Sequence, residues 1–145
     1  MSSYMAFYLR AKDNTSDFLE MEWFCRSAWV YQALAQEVKY ESYCEFDEKI
    51  AAKAMGWLGE RIEAAEEDIA ATKELIEVVK EIPASIAEVV VEIRNYQEDI
   101  KETRATIEGL RAAKDVIARY AAIANYSTNA RVYVAHEFDP NNIEE

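Results

Sequence analysis

The sequence predicts an α+β fold. It combines a small three-stranded antiparallel sheet and one short helix with a long antiparallel α-helical hairpin of coiled-coil character. Three observations lead there. Met55, Ile62, Ile69 and Ile76 recur every seven residues, with Leu58, Ala65, Thr72 and Val79 three places after each, and the ladder restarts with Ile86, Ile93, Ile100 and Ile107 beside Val89, Tyr96, Thr103 and Leu110. A breaker, Ile82-Pro83-Ala84-Ser85, separates the two ladders. Both chain ends read instead as aromatic, alternating segments, the pattern of half-buried strands.

Ser3 to Ala11 is rich in aromatic residues and closed by a polar cluster from Lys12 to Asp17, a strand followed by a turn. Phe18 to Phe24 alternates imperfectly. Glu20 and Glu22 are expected on one side and Leu19, Met21 and Trp23 on the other, giving a second strand with one wet face, paired with the first as a hairpin. Ser27 is placed to cap a short helix running to about Glu37, with Trp29, Val30, Ala33 and Leu34 on one face. Val38 to Cys44 is ambiguous and reads as loop, with room for a short extended piece.

The first long helix is expected from an Asp47 N-cap to about Glu81, and Glu48 suits its first turn. About 35 residues at 1.5 Å each make a rod of roughly 50 Å. Gly56 and Gly59 flank Trp57; they point to close packing against the sheet, or else to a local kink. Ser85-Ile86-Ala87-Glu88 fits a capping box and opens the second helix, while Pro83 stops the first. So short a turn forces antiparallel packing of the two helices. The second helix is expected to end near Asn125, in a left-handed cap. Asn129 to Phe138 reads as the third strand, and Asp139 to Glu145 as a mobile polar tail. One domain results: residues 1–46 and 126–145 form a base and residues 47–125 the hairpin.

Composition bounds the function. With 28 acidic and 16 basic side chains among 145 residues, the formal net charge is −12. Direct nucleic-acid binding is not expected, because it needs a basic stripe to displace counterions from phosphates. A partner protein with a basic surface fits better. No secretory h-region or membrane-length apolar run occurs, so no membrane partner and a cytoplasmic location are expected. Cys25 and Cys44 match no metal spacing and are expected as reduced thiols.

No cofactor or metal is called for, and no catalytic residues emerge. His136, the single histidine, has no nucleophile motif beside it and reads as a surface strand residue. The hairpin carboxylates lack the Glu-x-x-His pairs of a di-metal bundle. Glu63, Glu66, Glu67, Glu98, Asp99 and Glu102 therefore read as an acidic, solvated face, some within reach of a basic side chain such as Lys101.

The tip of the hairpin carries more aliphatic residues than its seam can use. Leu75, Val78, Val79, Ile82, Ile86, Val90 and Val91 are the candidate interface, serving a homo-oligomer first and a partner protein second. In size, acidity and lack of catalytic motifs the chain resembles the small proteins encoded by bacteriophages and prophages, some of which, as anti-CRISPR proteins, block host defence by binding a host protein. The resemblance is one of general character and carries no residue over. It implies a non-enzymatic, protein-binding inhibitor that occludes a basic surface. The alternative is a structural or assembly protein whose hairpins bundle.

Overall fold

The structure, a computed structural model, describes residues 3–83 and 85–142. Its elements are β1 (Tyr4–Ala11), β2 (Leu19–Cys25), α1 (Trp29–Leu34), β3 (Ser42–Glu45), α2 (Glu48–Glu81), α3 (Ile86–Tyr126) and β4 (Ala130–His136), followed by a 3₁₀ turn, Pro140–Asn142. The fold is α+β, with four strands rather than the expected three. The extra strand, β3, overlaps the segment Val38 to Cys44, read as loop with room for a short extended piece. It holds four residues, too few for a periodicity to declare itself. The sheet is antiparallel with order β2-β1-β4-β3. The chain divides into two compact units, Met1–Leu58 with Ala112–Glu145, and Gly59–Arg111. Their limits fall inside the long helices.

In the first unit β1 is central. Met5 and Phe7 point to one face, where Phe7 stacks on Tyr120 of α3 at 3.9 Å between ring centroids and meets Phe46 edge-on at 5.2 Å. Val132 and Val134 of β4, Ala51, Ala54 and Leu58 of α2, and Ala113 and Ile117 of α3 are buried in the same unit. These are the alternating and helical spacings that bury one stripe of each element. The opposite face holds a second cluster of Ala6, Tyr8, Phe18 and Ala135, with Tyr4, Tyr43, Tyr133 and Phe138 against it.

The β1–β2 turn is held by Asp13 accepting from the Thr15 amide (3.1 Å), by Ser16 Oγ accepting from the Ala11 amide (3.0 Å) and by Asn14 at φ 60°, a left-handed position that asparagine tolerates. A bulge at Phe7/Tyr8 breaks the alternation of β2, so Phe7 faces Glu22 while Tyr8 faces Glu20. The two glutamates therefore do not share a wet face. Glu22 accepts a 2.8 Å hydrogen bond from Tyr120 Oη, and Glu20 lies with Tyr4 and Tyr8. The apolar Leu19 and Trp23 are each 62% exposed.

Other boundaries shift for local reasons. Ser27 does not cap α1; Ala28 occupies the N-cap without a side-chain bond, and the Ser27 hydroxyl lies 3.1 Å from Cys25 Sγ. Gly56 has open space where a Cβ would be, so it serves no close packing. Asn125 is helical, and α3 ends at Tyr126 without a left-handed cap, its last turn tied down by Lys12 Nζ donating to the Ser127 carbonyl (2.9 Å). The tail is ordered through Asn142. Asn141 donates to the Phe18 carbonyl (2.7 Å) and accepts from the Phe18 amide (2.8 Å), as a strand residue would, and Pro140 is buried. Residues 143–145 of that predicted tail, and Ala84 of the breaker, lie outside the described residues.

In the second unit the seam follows the heptads. Ile76, Val79, Ile100, Ile107 and Leu110 are buried, Ile62, Ala65, Ile69, Thr72, Val89, Ile93, Tyr96 and Thr103 are half-buried, and nearly every position between is exposed. The Thr72 hydroxyl is satisfied by donating to the Asp68 carbonyl at 2.9 Å. Early residues of α2 meet late residues of α3, as where Arg111 donates to Glu66 at 3.0 Å, so the pair is antiparallel. Asp47 caps α2 through the Ile50 amide (2.9 Å), and Ser85 Oγ accepts from the Glu88 amide at 3.4 Å, the forward half of the capping box.

Candidate functional site

The tip of the hairpin is built by the same heptads that build the seam. Positions a and d turn inward, and the aliphatic residues outside those positions are left about half exposed. Leu75 is 47% exposed, Val78 57%, Ile82 50%, Val90 46% and Val91 56%. Ile86 belongs to the ladder by spacing, yet it is 83% exposed at the first residue of α3. Val79 departs from the candidate interface. It is buried in the seam, where its d position puts it. A shallow groove of about 370 Å³ beside Val91, lined by Ala87, Glu88, Glu92 and Asn95, extends the apolar surface along α3.

The acidic residues Glu63, Glu66, Glu67, Glu98, Asp99 and Glu102 are all exposed. Between Gly59 and Arg111 fourteen acidic side chains stand against seven basic, a net −7. The field is not uniform. Glu66 is paired with Arg111, an exposed contact worth at most about 1 kcal/mol. Lys73 and Arg104 both line a groove of about 370 Å³, together with Ile76, Glu77, Gln97 and Ile100.

The groups with reactive chemistry are dispersed. His136 is buried, not on the surface: Nδ1 lies 3.1 Å from the Val38 carbonyl and Nε2 lies 2.6 Å from Tyr31 Oη. A carbonyl only accepts, so Nδ1 carries a proton. The ring ties β4 to α1 and to the segment after it, between the edges of Tyr31 and Tyr40. Sequence reading misses this because the groups that enclose the ring, Tyr31 and the Val38 carbonyl, lie 105 and 98 residues away along the chain.

The Cys25 thiol is exposed, and its hydrogen bond with Ser27 lowers its pKa below the ordinary thiol value. Burial pushes Cys44 the other way, with Asp47 adding to it. Among the described residues, no three His, Cys, Asp or Glu side chains gather as a metal ion would require. Nor is any helix long and apolar enough to cross a membrane.

One feature escaped sequence reading. Tyr4, Tyr8, Glu20, Trp23 and Asp139 line an open groove of about 380 Å³ on the second face of the sheet. Its residues come from three segments and from a bulge, so no spacing along the chain announces it. Burial raises the Tyr8 pKa to about 12, with Glu20 and Asp139 adding to the effect; Tyr4 is raised for the same reasons. The chain matches no protein-family model, no curated protein and no solved structure.

Proposed function

We propose that this protein is a non-enzymatic, homo-oligomeric binding module whose hairpin tip makes the self-contact. Leu75, Val78, Ile82, Ile86, Val90 and Val91 support this reading: six aliphatic side chains, each about half exposed or more, at one end of one helix pair. Water contact at so many neighbouring apolar groups is unfavourable, and a second copy of the same tip offers a matching surface. Two hairpins meeting there would form a local four-helix bundle with the acidic faces left outward.

The acidic faces are then free for a partner with a basic surface, which the module occludes. This is the mode of action we propose for an inhibitor of the anti-CRISPR kind. Light scattering over a range of concentrations tests the self-contact: a mass above the monomer that falls on dilution supports it, and a strict monomer at high concentration refutes it. The occlusion claim is separate. Binding to a basic partner should weaken as salt rises, and insensitivity to ionic strength would remove the acidic face from the mechanism.

The same tip also supports a structural role in which hairpins bundle. Mass distinguishes the two. A closed oligomer reaches a plateau with concentration, whereas an assembly protein continues to grow.

A further inference from the structure

The groove on the sheet unit has a chemistry of its own. Three aromatic rings, Tyr4, Tyr8 and Trp23, share it with two carboxylates, Glu20 and Asp139. Trp23 is 62% exposed and forms an outer wall, whereas Tyr8 is buried and forms the floor. Aromatic faces carry negative charge density and attract cations, and carboxylates beside them add to the attraction. The same sheet face already holds one such contact within the chain, the Arg10 guanidinium 4.5 Å from the centre of the Phe18 ring. Among the described residues, no basic side chain lines the groove itself.

The groove adjoins an open edge. β2 is the outermost strand on its side of the sheet, so among the described residues its outer backbone groups have no strand partner. Leu19 and Met21 are also exposed along it, at 62% and 44%. An extended segment of another protein can pair with such an edge and place alternate side chains into neighbouring pockets.

The geometry points to a docking site for a lysine-bearing extended segment of a partner protein. The segment would add a strand beside β2 and set its lysine ammonium among Tyr4, Tyr8, Trp23, Glu20 and Asp139. Charge complementarity selects lysine over a neutral side chain of similar length. The site lies in a different unit from the hairpin tip and does not depend on self-association.

The test uses the full chain and a blocked peptide of alternating valine and threonine with one central lysine, titrated by NMR. The control is the same peptide with norleucine in place of lysine. The expected result is shifts of the Trp23 indole and the β2 amides, with the norleucine peptide binding about ten-fold more weakly. Trp23→Ala should weaken the lysine peptide about five-fold, as loss of one exposed cation–π contact implies, and Glu20→Gln by a similar factor. Both residues are exposed, so the variants keep the fold, which circular dichroism verifies.

Equal binding of the two peptides would overturn the inference. So would shifts confined to the hairpin, or methylammonium alone moving the same resonances as strongly as the peptide, since that would make the groove a small-ion pocket and not a docking edge.

Discussion

Replacing Val78 and Val90 with glutamate separates the tip contact from everything else in the molecule. The two residues are 57% and 46% exposed, lie outside the a and d positions, and contribute little to the seam. Fully burying a valine is worth about 1.5–3 kcal/mol, so burying the exposed half of each is worth about 0.8–1.5 kcal/mol. Two residues on each of two copies give roughly 3–6 kcal/mol lost from a symmetric dimer. At 1.4 kcal/mol per factor of ten, the dissociation constant rises by about 10²- to 10⁴-fold. Four new carboxylates at one interface add repulsion in the same direction. The assay is sedimentation velocity across a dilution series, with circular dichroism in parallel. Dissociation with unchanged helicity is expected. An unchanged mass would refute the reasoning by placing the contact elsewhere, and a loss of helicity would show that the two valines hold the seam instead.

Other outcomes follow from individual contacts. His136→Leu leaves the Val38 carbonyl and the Tyr31 hydroxyl without their partner, at about 1–3 kcal/mol for each buried group; chemical denaturation should show a fall in stability of that order. Gly56→Ala, in a helix with open space at the Cβ, should raise stability by about 0.8–1 kcal/mol in the same measurement. Cys25 should react with iodoacetamide at lower pH and faster than Cys44, because its thiolate is favoured by Ser27 while burial disfavours that of Cys44; peptide mapping of the labelled protein reads this directly. Tyr8 has its pKa raised from 10.0 to about 12, so between those values the unfolded chain loses a proton that the folded chain keeps. That contribution is complete below pH 10 and is lost as pH rises towards 12. Tyr8→Phe should therefore flatten the alkaline fall in stability and remove one late phase from the tyrosine absorbance titration.

The hairpin was legible in the sequence because a heptad is a local code. Every seam residue from Ile62 to Leu110 follows from counting by three and four, and the exposure of Leu75, Val78, Val90 and Val91 follows from the residues left over. Asp47 and Ser85 were legible as caps because capping needs only a side chain and an amide three residues on. The sheet was legible in its first, second and last strands, each seven or eight residues long and rich in aromatic or β-branched residues. It failed where long-range neighbours decide. Ser42–Glu45 becomes a strand only because β4 lies beside it, and His136 is buried by Tyr31 and Val38, far from it along the chain. A bulge at Phe7/Tyr8 sends Glu20 and Glu22 to different surroundings, which defeats strict alternation and hides the aromatic groove. Asn141 orders the segment after β4 through two bonds to Phe18, a contact 123 residues distant along the chain that composition cannot reveal.

The central position of β1 sets an order of events during synthesis. Its two neighbours are β2, a short turn away, and β4, whose pairing joins Met5 to His136. As the chain grows, the strand at the heart of the sheet waits for its second partner until both long helices have been made. The heptad seam between Gly59 and Arg111 is made within its own span and can form while that wait continues. Local contacts form in microseconds, and closing so long a loop is slow. During the interval Phe7, Met5 and the aromatic residues of β1 and β2 stand in water. A refolding trace should accordingly gain helicity before it gains the near-ultraviolet signal of the Phe7–Tyr120 stack.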